Sequence, residues 1–154
     1  MISDNFLQLA IETAKSSPSK QKVGSVLLKK SKVIATAVNL EKKSHPLQAK
    51  FAKRAGLWQK IYLHSEIHAL IKAREDADTI VVARVNKQNK LRMAAPCPCC
   101  SLALEEAGIK NIYYSTDDGF MYRYSPDTDT LETGTLTLER GETTPIMSIF
   151  KTDQ

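Results

Sequence analysis

The chain has 154 residues, 42% of them hydrophobic and 25% charged, with a formal charge of +5. That length buries a core without staples and reads as a single domain, and the composition excludes disordered and fibrous classes. No apolar run approaches the twenty or so residues of a bilayer crossing, and the first nine residues lack the basic start of a secretory signal, so a cytoplasmic protein with no membrane partner is expected.

Asp4 to Lys15 carries Phe6, Leu7, Ala10, Ile11 and Ala14 at three-and-four spacing behind Ser3, which predicts a capped amphipathic helix ended by Ser16-Ser17-Pro18-Ser19. Val23–Leu28 and Val33–Val38 are apolar and rich in β-branched residues. Lys29-Lys30-Ser31-Lys32 between them predicts an antiparallel hairpin. Asn39, at the end of the second strand, reads by residue type as a turn former. Leu40 to Leu63 is a long connection of the kind that forms a wall or lid, and its apolar residues from Leu47 to Leu57 predict a short helix broken at Gly56. Trp58 and Tyr62 follow among bases. Trp58 either packs beneath this insertion or stacks on a nucleobase, as in single-strand grooves. His45 has no companion at metal-ligand spacing and is assigned to the surface or to a substrate contact. From Lys20 to Lys60 there are eleven bases against one acid, Glu41. That stretch either attracts a phosphorylated or polyanionic ligand or is a solvated lysine surface.

His64-Ser65-Glu66 opens the next predicted helix, whose apolar face is Ile67, Leu70 and Ile71. The positive end of the helix dipole is expected to keep Glu66 ionised. His68, one turn on, is taken as structural. Thr79–Val85 is the most clearly buried strand, Asn86–Lys90 a polar loop, and Leu91 to Ala95 an extended approach to Pro96-Cys97-Pro98-Cys99-Cys100. Pro98 suits the first position of a helix. Cys97 at its cap and Cys100 one turn in then aim at one point, while Cys99 is rotated by about 100° from Cys100. All three cysteines fall within four residues, which rules out a long-range disulfide and points to a metal site in a reducing compartment. One imidazole and two thiolates fill three corners of a tetrahedral zinc site and leave the fourth for water, the pattern of a catalytic metal. Glu66, two residues after the histidine, is placed to exchange protons there. The second helix stops at Gly108. Asn111–Ser115 and Phe120–Tyr124 flank Asp118-Gly119, which predicts that the last two strands are antiparallel. Ser125 onward reads as a loose extension whose Ile146, Met147, Ile149 and Phe150 dock on the domain or on a neighbouring subunit of a homo-oligomer.

In that order and at two helix starts, H-x-E and P-C-x-x-C resemble the zinc-dependent cytidine and deoxycytidylate deaminase superfamily over residues 22–124. The resemblance implies an α/β, three-layer α-β-α fold with a mixed five-stranded sheet, in a single domain with a core of about 1–124 and an extension of about 125–154. It implies zinc on His64, Cys97 and Cys100, with Glu66 as the catalytic acid and base. It also implies a sugar contact at Asn39 and a backbone contact to the exocyclic amine at Ala95. Ser65 stands where many members carry alanine and is expected to face away from the metal. The implied reaction converts cytosine to uracil and ammonia in a free nucleoside or nucleotide. The lysine-rich insertion, with Trp58 and Tyr62 as further candidate substrate contacts, keeps cytosine in single-stranded DNA or RNA as the alternative. A tight turn between the last strands is similar to the free-cytidine branch. A purely structural zinc module would want a fourth protein ligand and would leave Glu66 without a use.

Overall fold

In the computed structural model, the residues described are 2–57, 62–124, 133–137 and 143–148. Helix α1 (Asp4–Lys15) leads into β1 (Lys22–Lys29), β2 (Lys32–Val38) and β3 (Leu40–Ser44), then α2 (Pro46–Arg54), β4 (Tyr62–Leu63) and α3 (Ser65–Lys72). Strands β5 (Thr79–Val85) and β6 (Leu91–Arg92), helix α4 (Pro98–Glu106), β7 (Asn111–Thr116), β8 (Gly119–Tyr124), β9 (Thr133–Thr137) and β10 (Thr143–Ser148) follow. The main sheet has the order β2-β1-β5-β7-β8-β10-β9, with β6 on β5, and a separate ribbon pairs β3 with β4.

The first five strands in that order are the mixed sheet expected from the sequence. β5 and β7 run parallel, whereas β1–β2, β1–β5 and the final pair β7–β8 are antiparallel. The first hairpin turns on two residues, and Lys30 and Ser31 both take positive φ, 48° and 67°, as a tight turn matched to strand twist requires. The extension is more regular than its polar sequence suggested: β10 lies parallel to β8, pairing Ile146 with Phe120 and Met147 with Met121, and β9 folds back on it. Such pairing uses backbone groups, which leave no mark on side-chain pattern. Ile149, Phe150 and Trp58 lie outside the described residues.

Alternation along the strands assigns the two faces. Val26, Leu28, Val81, Ala83 and Val85 meet Leu7, Ala10, Ile11 and Ala14 of α1. Leu27, Ile80 and Val82 point the other way, into a core with Ala69 of α3 and Leu104 of α4, so the sheet is sandwiched between helical layers. A third cluster, including Phe51, Leu63, Ile67, Cys99 and Cys100, ties α2 to the starts of α3 and α4. Helices α2 and α4 both end on a left-handed glycine, Gly56 and Gly108 (φ 72° and 81°), with Leu57 N–H on Ala52 O (2.8 Å) and Ile109 N–H on Leu104 O (3.0 Å). These bonds satisfy carbonyls that a helix end would leave unpaired. The start of α2 is set by His45, whose Nδ1 accepts from Leu47 N–H at 3.0 Å. His45, assigned from the sequence to the surface or to a substrate contact, is thus a half-buried helix cap. Among the described residues no helix is long and apolar enough to cross a membrane.

Candidate metal centre and active site

His64 and Cys97 are the N-cap residues of α3 and α4, and neither uses its side chain to cap its own helix. The imidazole and the thiol are therefore turned towards each other, and Cys100 joins them from the first turn of α4. Cys97 Sγ and Cys100 Sγ lie 3.6 and 3.3 Å from His64 Nδ1. One ligand atom from each residue falls within 4.8 Å of the others. A tetrahedral zinc with ordinary Zn–S and Zn–N lengths has an S···N edge of about 3.6 Å, so spacing and donor type both fit zinc. Among the described residues no further His, Cys, Asp or Glu belongs to this group. Cys99 is turned aside: Gln48 Nε2 donates to its sulfur at 3.4 Å and its thiol meets Gln48 O at 3.9 Å.

The charges are arranged for a cation. Cys97 is lowered to about 4, chiefly by the hydrogen bond it receives from Cys100, with His64 also lowering it, against burial. Cys100, the donor in that bond and a neighbour of Cys99, is pushed well up, and burial adds to this. For His64, burial works downward, yet the hydrogen bond to Cys97 and the charges of Glu66 and Cys97 outweigh it and the net shift is upward. The upward shifts of His64 and Cys100 favour protons there that metal binding would displace. Glu66 is only 5% exposed, and that burial raises its pKa despite the opposing pull of His64 and the helix N–H groups. Desolvation is thus a larger effect on Glu66 than the helix start that was expected to favour its ionised form, and the net shift is upward.

Two supporting contacts were not legible in the sequence. Ser65 was expected to face away; instead its hydroxyl donates to Glu66 Oε1 at 3.1 Å and lies 2.7 Å from Ser25 Oγ, both serines being fully buried. The second is Gln48 on α2, also fully buried, whose Oε1 accepts from His64 N–H at 3.1 Å. Together with its bonds to Cys99, this makes one side chain brace the starts of both helices. The hint available in each case was a polar residue within an apolar run, Ser25 in β1 and Gln48 between Leu47 and Phe51.

A cavity of about 210 Å³ opens beside the cluster, and its wall includes His64, Cys97, Glu66, Asn39, Ala95 and Arg84. Asn39 is held firmly there: its Oδ1 accepts from Ser17 Oγ (2.7 Å) and Val23 N–H (3.1 Å), and its Nδ2 donates to Gln21 O (2.6 Å). Tyr62, 55% exposed on β4, is not part of that wall. His68 bonds Val38 O through Nδ1 at 2.8 Å, a structural contact.

The family model for the cytidine and deoxycytidylate deaminase zinc-binding region matches residues 2–116. The chain belongs to that family. It is a deaminase, and the donor set described above agrees with the family's zinc as its cofactor. Among solved structures, the dCMP deaminase of the cyanophage S-TIM5 in apo form is 22% identical over 72% of this chain and 79% of that one, with a TM-score of 0.50, a likeness of fold. A RibD of Acinetobacter baumannii is 25% identical over 75% of this chain and 28% of that one (TM-score 0.46). The cytidine deaminase of Mycobacterium leprae is 17% identical over 77% and 91% (TM-score 0.49). No curated protein matches the deaminase in sequence.

Proposed function

We propose that this deaminase hydrolyses cytosine to uracil in a free nucleoside or nucleotide, with zinc on His64, Cys97 and Cys100 and Glu66 as the proton carrier. The supporting observation is a three-donor group, two of whose members line the same cavity as a buried carboxyl. When bound, zinc supplies hydroxide at neutral pH by lowering the pKa of water from 15.7 to about 7. Glu66 takes the proton released from that water and delivers it to the ring nitrogen next to C4. A second proton goes through the same carboxyl to the exocyclic amine. A C4–O bond forms, the C4–N bond breaks, and one water is consumed for each ammonia released. A carboxyl whose burial raises its pKa is suited to taking and returning a proton near neutrality. Ser65 fixes it in place through Oε1. Asn39 Nδ2 has one N–H beyond the bond to Gln21, assigned to the sugar, and the backbone at Ala95 is assigned to the amine.

The exposed Lys42 and Lys43 of β3, beside Tyr62 of β4, favour the second reading, cytosine in single-stranded nucleic acid. Such a ligand calls for a stripe of cations, whereas Arg84 is the only Lys or Arg in the cavity wall among the described residues, which favours the small substrate. Ammonia release from cytidine, cytidylate, deoxycytidylate and a cytosine-bearing oligonucleotide separates the readings, and turnover of the oligonucleotide alone would reverse the preference. Glu66→Ala is expected to retain stoichiometric zinc and lose turnover, and Cys97→Ser to lose both. Normal activity in either variant ends the assignment.

A further inference from the structure

The inner face of β5 ends in a charge. Ile80 and Val82 belong to the core beneath α3 and α4, and alternation sends Arg84, two residues on, to the same face. There it lines the cavity with Glu66, His64 and Asn39. Its backbone is fixed, since Arg84 N–H donates to Ser115 Oγ at 2.9 Å and that hydroxyl donates to Arg92 O at 2.7 Å. Arg92 is also its direct partner across the antiparallel β5–β6 pair, a register in which like charges repel. Arg92 is answered by Asp117 at 3.3 Å. Among the described residues the Arg84 guanidinium has no ion pair. One acid for two facing arginines leaves a place for an anion.

The position of that place matters. On its other side Arg84 pairs with Val23 of β1, and Val23 N–H is the group bonded to Asn39 Oδ1. The backbone that holds Asn39 is therefore one strand spacing, about 4.8 Å, from that of Arg84. A substrate with its base at the metal cluster and its sugar at Asn39 brings its next group to this arginine, and on a nucleotide that group is the phosphate. A guanidinium presents a planar fork that matches phosphate oxygens in pairs.

We infer that Arg84 grips the phosphate of a nucleoside 5′-monophosphate, so that the enzyme selects nucleotides over nucleosides; the inference rests on the reading of the cavity as a cytosine site. One arginine answers one terminal phosphate. The test takes zinc-loaded wild type, Arg84→Ala and Arg84→Lys, and measures kcat and KM for deoxycytidine and its 5′-monophosphate. Binding of deoxyuridine and its 5′-monophosphate by calorimetry adds a readout that needs no turnover. Wild type is expected to favour the monophosphate in both. In Arg84→Ala the ratio of kcat/KM for nucleotide over nucleoside falls by about 30-fold or more, mainly through KM. Arg84→Lys, which keeps the charge and loses the fork, falls in between. An unchanged ratio, or equal losses on both substrates, overturns the role of Arg84 and leaves the cytosine reading standing. A wild type that binds neither product, or turns over only an oligonucleotide, overturns both.

Discussion

β1 sends Gly24, Val26 and Leu28 towards α1, and Val23, Ser25 and Leu27 towards α3 and α4. β5 does the same with Val81, Ala83 and Val85 on one side and Ile80, Val82 and Arg84 on the other. The first face is a dry contact of small and branched side chains. The second has the same apolar middle, but it admits Ser25 and Arg84 where the helices α3 and α4 begin. Two faces of the same strands thus follow different rules: on one, shape decides what is tolerated; on the other, polar partners do. Substitutions on the two sides should fail in correspondingly different ways.

The largest effect is expected on the dry face. A Cβ added at Gly24 would stand 2.8 Å from the carbonyl carbon of Thr13 and nearer still to the backbone nitrogen of Ala14. Backbone cannot swing aside as the end of a side chain can, so α1 must move off the sheet. Gly24→Val should cost about 3 kcal/mol in urea unfolding, while the fraction that remains folded binds zinc normally. Wild-type stability in this variant would mean that α1 does not approach the sheet as closely as described.

On the other face the expected loss is of function at nearly constant fold. Gln48→Met keeps the volume of a fully buried side chain and removes its bonds to His64 N–H and Cys99. Outer contacts to metal-ligand segments typically carry 10- to 100-fold in affinity, so zinc affinity measured against a competing chelator should fall by about that much. The absorption bands of the cobalt-substituted protein should shift as well, which a general loss of stability would not cause. Gln48→Glu retains an acceptor for His64 N–H and loses the donor to Cys99. It therefore tells which of the two contacts matters. Unchanged affinity and spectrum in Gln48→Met would reduce Gln48 to core filling.

These residues also mark where the sequence stopped being informative. Local rules carried far: Ser3, Gly56, Gly108 and Pro98 act at the helix ends they announce, and the expected hairpin forms, with Asp117-Asp118 as its turn and Gly119 as the first residue of β8. The ligand spacing was readable because a cap and the residue one turn beyond it converge on any helix. What was not readable depends on which element lies opposite. Ser65 looked idle on an isolated helix and gains a partner only because β1 passes beneath it. Gln48 sits 16 residues from His64 and 51 from Cys99, distances over which no pattern in a single chain points from one to the other. His45 could be weighed as ligand or surface, yet its bond is to the backbone two residues on. Arg84 carried no reading of its own within the buried strand Thr79–Val85, because its role depends on which face of that strand meets the cavity.

The subtlest difference between the faces is a slope with pH, and it belongs to Glu66. Burial raises this carboxyl above its ordinary value of 4.5, so in metal-free protein the folded state holds the proton over a range where the unfolded chain has lost it. Below pH 4.5 both states are protonated and the group is neutral with respect to stability. Between 4.5 and the raised value, stability falls as pH increases, and above it the full penalty persists. Cys97 acts in the opposite sense: its folded value, lowered to about 4 from 9.0, adds stability as pH rises between those limits. The comparison must therefore be between variants and not along one curve. Glu66→Gln removes the carboxyl and leaves Cys97, and its oxygen can still accept from Ser65. Measured by urea unfolding after zinc removal, its advantage over wild type should be least below pH 4.5 and widen towards neutrality. A gap that stays constant across that range would mean that Glu66 is solvated in the folded chain, and the burial on which its role as proton carrier rests would go with it.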